Sequence, residues 1–151
     1  MGLEIEHKYK VLNNSYKKLS EKCYSIAQGY LCREKERTVR VRVRDDKGFL
    51  TIKGVTNIDA RVEFEYEIPV AEASELLKLC EPVIIEKTRY IVPFDGNIWE
   101  VDEFHGVHEG LTIAEIEIPT SDYRYNTPDF VGENVTDDIR YYNSTLSRKK
   151  Q

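Results

Sequence analysis

Charged side chains recur at every second position along several short segments of this chain. In residues 4–8, Glu4, Glu6 and Lys8 alternate with Ile5 and His7, so the charges share one face of an extended strand. The same alternation returns in 40–44, 61–67, 87–89 and 115–117. This period of two residues predicts β-strands that each have one charged face and one apolar face.

The alternation extends over most of the chain. It predicts eight strands, at about 3–11, 25–33, 37–45, 48–55, 59–68, 83–92, 97–105 and 110–119. Residues 45–48 and 95–97 predict hairpin turns. Helices are predicted after Ser15, at about 71–80, and after Thr136, which is a plausible N-cap. So many strands with so little helix favour a mainly antiparallel β (α+β) fold. We expect a closed eight-stranded β-barrel or a strongly curved sheet, with flanking helices and the charged face inside.

The bulk properties narrow the class of protein. With 151 residues, the chain is expected to form one domain over 1–151. Its net charge of −5 argues against a nucleic-acid partner, because nucleic-acid-binding domains are usually basic. No apolar run approaches the ~20 residues of a membrane-spanning helix. The three cysteines, Cys23, Cys32 and Cys80, form no CxxC pair and fit a reducing cytoplasm. We therefore expect a cytoplasmic protein without a membrane partner, and a homodimer stays open.

The charged face can be interpreted in two ways. Half-buried sheets often turn charges toward water, and this ordinary arrangement is the first alternative. Here, however, the face is nearly all charge, and the charges are sorted by strand. Three arginines alternate within 40–44 and three glutamates within 63–67. Like charges at this spacing repel one another unless groups of opposite sign lie among them. The pattern therefore favours an interior that binds a charged ligand.

The residue types indicate which ligand such a face would bind. Arginine and lysine recognise phosphate oxygens, and carboxylates without clustered cysteine or histidine suit hard cations such as Mg²⁺ or Mn²⁺. The sequence contains no GxxxxGK[ST] nucleotide-binding loop, and it does not indicate a Ser-His-Asp catalytic triad. We interpret His7, His105 and His108 as structural or solvated. The face is therefore predicted to hold a phosphate polyanion together with a divalent metal.

The motifs resemble those of a known family. Glu4-x-Glu6-x-Lys8 is similar to the ExExK signature of the CYTH superfamily, also called triphosphate tunnel metalloenzymes. The resemblance continues in order over nearly the whole chain. It includes QGYL at 28–31, RxR at 40–42, LTxK at 50–53, RxExE at 61–65, KxR at 87–89, WEVD at 99–102, AEIE at 114–117 and a terminal helix over 136–143.

This resemblance implies an eight-stranded tunnel and a role for each matched residue. The phosphates would be held by Lys8, Arg40, Arg42, Lys53, Lys87 and Arg89, with Arg61 supporting them. The metal would be held by Glu4, Glu6, Asp102, Glu115 and Glu117. Glu63 and Glu65 would hold a second metal or position the attacking water, and Lys87 would neutralise the leaving oxygen.

The first functional hypothesis is metal-dependent hydrolysis of inorganic triphosphate to pyrophosphate and phosphate. The family also implies alternatives: a class IV adenylate cyclase, or hydrolysis of ATP, thiamine triphosphate or an RNA triphosphate. The chain is compact and has no obvious insertion for a base or an RNA, which favours the smallest substrate. A non-catalytic polyphosphate-binding module is a further alternative, although a pure anion binder gains nothing from so many carboxylates. A structural β domain would have no phosphate affinity at all.

Overall fold

Nine strands form one antiparallel sheet that closes on itself. The computed structural model describes residues 2–55 and 60–148. The strands are β1 Gly2–Val11, β2 Lys22–Cys32, β3 Thr38–Arg44, β4 Lys47–Lys53, β5 Ala60–Ile68, β6 Glu81–Phe94, β7 Asn97–His105, β8 Thr112–Glu117 and β9 Val131–Asn134. Their order is β5-β4-β3-β2-β6-β7-β8-β1-β9, and a further pairing of β5 with β1 closes the first eight into a barrel. The predicted barrel is confirmed, although β9 was not predicted and residue 59 lies outside the described residues.

The helices are few and short. They are α1 Tyr16–Leu19, α2 Val70–Leu79 and α3 Asn143–Leu146, with 3-10 turns at Gly106–His108 and Ile139–Tyr141. In its described parts, the chain has no helix with the length and apolar character needed to span a bilayer.

The apolar faces of the strands point outward and form the main core. This core lies under α1 and the chain after β8, and its buried members are Ile5, Tyr16, Ala60, Val92, Trp99, Val101, Ala114, Ile116, Ile118 and Phe130. Trp99 has no exposed surface and packs edge-on against Tyr125 and Phe130. Burying so many large apolar side chains on the outside leaves the inner face of the sheet free for charge.

The second helix lies close against β3 and β4. Its Ala73 is fully buried over Gly48 in β4. A Cβ atom at Gly48 would lie only 2.6 Å from the Ala73 Cβ, so this close approach of the helix to the strand requires glycine.

The hairpin turn predicted at 95–97 is also present. Asp95 and Gly96 have φ angles of 51° and 79°, as a type I′ turn requires.

The helix predicted after Thr136 is not continuous. Thr136 is not an N-cap, because its hydroxyl accepts a hydrogen bond from the Lys8 backbone N–H at 3.0 Å. Asp138 instead caps the 3-10 turn Ile139–Tyr141 by accepting from the Arg140 N–H, and α3 then spans four residues. The segment breaks because its polar side chains bond locally and to β1 rather than leaving the backbone free for a helix.

A second apolar cluster closes one end of the barrel interior. Ile85, Phe104 and Ile113 lie two residues from Lys87, Asp102 and Glu115 on the same strands, so they share the inward face. They pack with one another and with Leu146 of α3, and we call these four residues the floor. Arg33 fixes this last segment by donating from Nε to Ser147 Oγ at 2.8 Å and from Nη2 to Ser147 O at 2.7 Å.

Candidate functional site

The charged residues line the barrel interior, which we call the tunnel. Eight of them are at most 8% exposed: Glu4, Lys8, Arg40, Arg42, Lys87, Arg89, Asp102 and Glu115. Charges buried to this extent must be paired or neutralised by a ligand. The tunnel is therefore a site for charged groups rather than a solvated face.

Two lysines pair with carboxylates near β1. Lys8 lies opposite Glu115 in the β1–β8 register, and its Nζ is 3.0 Å from Glu115 Oε1. Lys53 Nζ lies 2.7 Å from Glu4 Oε1 and 3.5 Å from Glu63 Oε2. Although burial opposes it, Glu115 holds the pKa of Lys8 above its ordinary value. Lys8 is therefore charged, and a carboxylate holds each of the two lysines in the tunnel.

Asp102 is the centre of a second group. Arg89 binds it through two donors, Nε to Oδ1 at 2.7 Å and Nη2 to Oδ2 at 2.8 Å. Lys87 Nζ is 2.7 Å from the same Oδ2 and donates to Asn143 Oδ1 at 3.2 Å. Burial opposes ionisation, yet Arg89 and Lys87 hold the pKa of Asp102 well below its usual range. One carboxylate thus orients two cations.

The arginines of β3 form the opposite wall. Arg40 Nη2 donates to Thr51 Oγ1 at 3.2 Å and lies 3.5 Å from Glu65 Oε1. Thr51 Oγ1 in turn donates to Glu65 Oε1 at 2.8 Å. Arg42 Nε donates to Gln28 Oε1 at 2.8 Å. Arg42 pairs with no described carboxylate, so its charge is free for an anion.

Positive charge is in excess in the middle of the tunnel. Burial, together with Arg40 and Arg89, lowers the pKa of Arg42 to about 9. Burial likewise lowers the pKa of Lys87 to about 7, and Arg89 and Arg42 add to the effect. A polyanion bound among these groups would relieve their mutual repulsion.

Negative charge is in excess at another place, where Glu6 and Glu117 form no ion pair with a described cation. Burial and the neighbours Glu115 and Glu4 raise the pKa of Glu6. Glu117 is exposed as a whole residue, although its carboxyl group is partly desolvated. This desolvation, together with repulsion from Glu4 and Glu63, raises the pKa of Glu117 to about 7. A cation bound among these carboxylates would stabilise their ionised form.

Arg61 differs from the other predicted phosphate-binding residues. It donates to Gly54 O at 3.3 Å and to Thr38 Oγ1 at 3.0 Å. It forms no ion pair with any described carboxylate. Its contacts therefore brace the ends of β3 and β4, and the structure brings the remaining predicted residues together in the tunnel.

Comparison with known proteins agrees with this geometry. The family profile of the CYTH domain matches residues 2–147. The chain belongs to the CYTH family. An inorganic triphosphatase of Acetivibrio thermocellus is 52% identical over 147 residues, which cover 97% of this chain and 94% of that protein. An inorganic triphosphatase of Nitrosomonas europaea is 32% identical over 126 residues, covering 81% of this chain and 83% of that protein.

Solved structures share the CYTH fold. A crystal structure of an inorganic triphosphatase superposes with a TM-score of 0.68 at 30% identity, over 97% of this chain and 95% of that one. A protein from Pyrococcus horikoshii superposes with a TM-score of 0.63 at 21% identity, over 79% and 80% of the two chains. The second likeness shows the fold alone.

Membership of the CYTH family implies a divalent metal, and the carboxylates of the tunnel fit one. The excess of oxygen donors around Glu6 and Glu117 suits a hard cation. Within 2–55 and 60–148, no three carboxylate, histidine or cysteine side chains already converge on one point. Two of the tunnel carboxylates are held by lysines, Glu4 by Lys53 and Glu115 by Lys8. Glu6 and Glu117 form no ion pair with a described cation and are therefore the carboxylates most open to a metal.

Three polar residues of this CYTH tunnel were missed by sequence reasoning. Gln28 and Thr51 are fully buried on the inward face, and Asn143 reaches Lys87 from the last helix. Strand parity could have found the first two, because residues two positions apart share a face: Gln28 shares one with Ile26 and Tyr30, and Thr51 shares one with Lys53. No local signal marks Asn143, whose contact depends on how the C-terminal segment folds back.

Proposed function

We propose that this CYTH protein hydrolyses inorganic triphosphate with a divalent metal, releasing pyrophosphate and phosphate. The observation that carries the proposal is the buried tunnel itself, which holds separate excesses of cations and carboxylates and is closed at one end by an apolar floor. Two relatives named inorganic triphosphatase, at 52% and 32% identity, support the choice of substrate.

Cations from four strands would hold the substrate. These residues are Lys8, Arg40, Arg42, Lys53, Lys87 and Arg89, and Arg61 braces the wall behind them. Arginines offer planar pairs of donors to phosphate oxygens, whereas lysines act as movable point charges. Because they surround the ligand from several sides, a short polyanion is gripped along its length. Such positioning accounts for much of the catalysis of phosphoryl transfer.

The metal would be Mg²⁺ or Mn²⁺, held by carboxylates among Glu4, Glu6, Asp102, Glu115 and Glu117. When bound, it supplies positive charge to the phosphate oxygens as negative charge develops. Of these residues, Asp102 is already bound by two cations and would serve mainly to orient Lys87 and Arg89. Glu6 and Glu117 have the freest carboxylates.

Three residues would act on the reacting groups. Glu63 and Glu65 lie at inward positions of β5, where their carboxylates can accept hydrogen bonds from the attacking water. Lys87 can stabilise the leaving oxygen, because its ammonium is fully buried and can donate from a fixed position. Its pKa of about 7 also makes proton donation to that oxygen favourable near neutral pH.

We also propose a cytoplasmic location, based on three cysteines that are all free thiols: Cys23, Cys32 and Cys80. Fractionation of the native host with an antibody to the chain tests this point. Recovery in an extracellular or membrane fraction would contradict it.

The function is tested by phosphate release from tripolyphosphate, ATP, thiamine triphosphate and pyrophosphate, each with Mg²⁺ and with Mn²⁺. We expect the highest kcat/KM with tripolyphosphate, because no described group forms a pocket for a base inside the tunnel. Pyrophosphate should be poor, since it is too short to engage both the carboxylate end and the cations near the floor. Cyclic AMP as the main product from ATP would replace the proposal with a cyclase. Tight binding without turnover would favour a polyphosphate-binding module.

A further inference from the structure

Gln28 lies in the tunnel between the cations and the floor. It is fully buried on β2, opposite Arg42 of β3 and Ile85 of β6. Residues opposite each other in adjacent strands share a face, so its amide points into the tunnel. Ile85 belongs to the floor, whereas Arg42 belongs to the cationic wall. The amide therefore lies beside both the cationic wall and the floor.

The oxygen of this amide has a hydrogen-bond partner among the described residues, whereas its nitrogen has none. Gln28 Oε1 accepts from Arg42 Nε at 2.8 Å. Gln28 Nε2 is buried and has no hydrogen-bond partner among the described residues, and the same is true of Arg40 Nε on the neighbouring strand. Trp99 Nε1 is a third such atom, but it lies in the outer core away from the tunnel. Two orphaned donors thus occur on neighbouring strands, at positions that face the tunnel.

The orientation of the amide follows from its neighbour. Arg42 Nε is always a donor, so it needs an acceptor. Turning the amide around would place the Gln28 NH₂ against that N–H, donor against donor. The oxygen must therefore face Arg42, and the NH₂ must face elsewhere in the tunnel. Buried donors are nearly always satisfied in a working protein, so an unpaired one in a ligand site points to the ligand.

We propose that Gln28 is a phosphate-binding residue: its Nε2 donates to an oxygen of the phosphoryl group nearest the floor, while its Oε1 orients Arg42. This inference rests on the proposed function and adds a residue to the binding site. With Nε held by Gln28, the Arg42 guanidinium keeps its two terminal nitrogens for the substrate. Gln28 and Arg42 therefore act as one unit with donors aimed at the same end of the polyanion.

A neutral donor suits this position better than another cation. Arg42 is already crowded, since burial and the charges of Arg40 and Arg89 lower its pKa to about 9. A further lysine or arginine would increase the repulsion in the empty tunnel. An amide supplies a hydrogen bond to phosphate without adding charge, so it strengthens binding without destabilising the protein before substrate arrives.

The test is calorimetric binding of tripolyphosphate in excess chelator, followed by steady-state kinetics with Mg²⁺. The key variant is Gln28→Met, which keeps the length of the side chain and removes both polar atoms. We expect the Kd to rise about tenfold to a hundredfold, as for the loss of one hydrogen bond to a charged group. KM should rise more than kcat falls. The matched control, Tyr123→Phe, loses a hydrogen bond to Asn97 on the outer surface and should bind as the wild type does.

A second comparison separates direct contact from orientation of Arg42. Gln28→Met is introduced into an Arg42→Lys background, where the Nε contact no longer exists. If Nε2 touches phosphate, the second substitution still weakens binding by about the same factor. No additional loss would reduce Gln28 to a positioning residue and overturn the direct contact. If Gln28→Met fails to fold, Gln28→Leu decides, because it also removes both polar atoms without adding a charge that would repel the polyanion.

The remaining outcomes separate the inference from the function on which it rests. Wild-type affinity in Gln28→Met, while the wild type binds and hydrolyses tripolyphosphate, would overturn the inference and leave the proposed function intact. Absence of both tripolyphosphate binding and tripolyphosphate hydrolysis by the wild type, with and without Mg²⁺, would overturn both.

Discussion

Lys87 Nζ lies 2.7 Å from Asp102 Oδ2, and the two side chains are 0% and 1% exposed, the most deeply buried ion pair among the described residues. Arg89 holds the same carboxylate through two further hydrogen bonds. Arg89 also lies 3.3 Å from Glu100 Oε1 and 3.8 Å from Glu115 Oε2, so it has further carboxylates beside Asp102. Lys87 has only Asp102 among the described carboxylates and shares it with Arg89, so an anionic ligand would add to the compensation of Lys87.

Asp102→Asn should strongly destabilise the protein without ligand. Removing one partner of a buried ion pair typically costs about 3–5 kcal/mol, because the other charge is left uncompensated. Tripolyphosphate should restore part of this loss by supplying negative charge to Lys87 and Arg89. Urea unfolding with and without tripolyphosphate measures both effects, with the exposed, outward-facing Glu86→Gln as control. Equal stability of Asp102→Asn and Glu86→Gln would contradict the importance of this pair.

The pH dependence of stability should report on Glu117. Its pKa is raised from 4.5 to about 7 by desolvation and by Glu4 and Glu63, so the folded state holds its proton more tightly than the unfolded state does. The resulting stabilisation is complete below pH 4.5 and is lost as the pH rises to about 7. The Glu117→Gln variant should not show this loss of stability with rising pH, because glutamine does not titrate. We expect the difference in Tm, variant minus wild type, to become more positive from pH 4.5 to 8 without metal.

The control for this titration is Glu36→Gln, an exposed residue in the loop between β2 and β3. Its Tm should follow that of the wild type at every pH. Saturating Mg²⁺ should also flatten the wild-type curve, because a bound cation favours ionised carboxylates. Parallel curves for wild type and Glu117→Gln would show that Glu117 has an ordinary pKa.

Glu6→Gln should abolish most activity while the protein remains folded. The substitution keeps the shape of the side chain and removes only its charge, which we assign to metal binding. Loss of a residue that only supports a metal ligand already lowers activity by about tenfold to a hundredfold, so loss of a ligand should lower it at least as much. Phosphate release by the variant is measured over a range of Mn²⁺ concentrations. Partial recovery of activity at high Mn²⁺ concentration would show that the variant binds the metal more weakly. Full activity in excess chelator would remove the metal from the mechanism.

Tripolyphosphate should raise the Tm of the wild type clearly. A ligand that binds only the folded state, at 100 times its Kd, adds about 2.7 kcal/mol to the free energy of unfolding. The shift should vanish in the double variant Arg40→Ala/Arg42→Ala, whereas Lys78→Ala on the outer helix should keep it. Equal shifts with sulfate would reduce the effect to general anion screening, and an unchanged shift in the double variant would place the site elsewhere.

Much of the barrel could be predicted from sequence, because alternation alone defines which face of each strand is charged. The strand β9 was missed because Val131–Asn134 is too short to show a period, and its pairing with β1 has an irregular register. The broken C-terminal helix was also missed. Its form depends on the contact between Thr136 and the Lys8 backbone, which joins residues 128 positions apart.

The composition of the tunnel followed from parity and from family motifs, but its pairings did not. That Lys53 binds Glu4, whereas Lys8 binds Glu115, depends on how the strands are staggered around the barrel. Stagger is a property of the closed sheet and leaves no mark on a single strand. The same holds for the floor, since Leu146 meets Ile85 only after the chain has folded back over the end.

Leu146→Ala should destabilise the protein by about 2–5 kcal/mol, the usual cost of a cavity at a buried leucine. Leu146 is 8% exposed in the floor, whereas Ile139 in the same segment is 64% exposed and provides the matched control, Ile139→Ala. We expect the control to change stability by no more than about 0.5 kcal/mol. Because α3 also carries Asn143 to Lys87, kcat should fall in Leu146→Ala even where the protein remains folded. Urea unfolding measures the change in stability, and steady-state kinetics well below the Tm of the variant measure the change in kcat. Equal stability of the two variants would show that the side chains at the closed end of the barrel are not tightly packed.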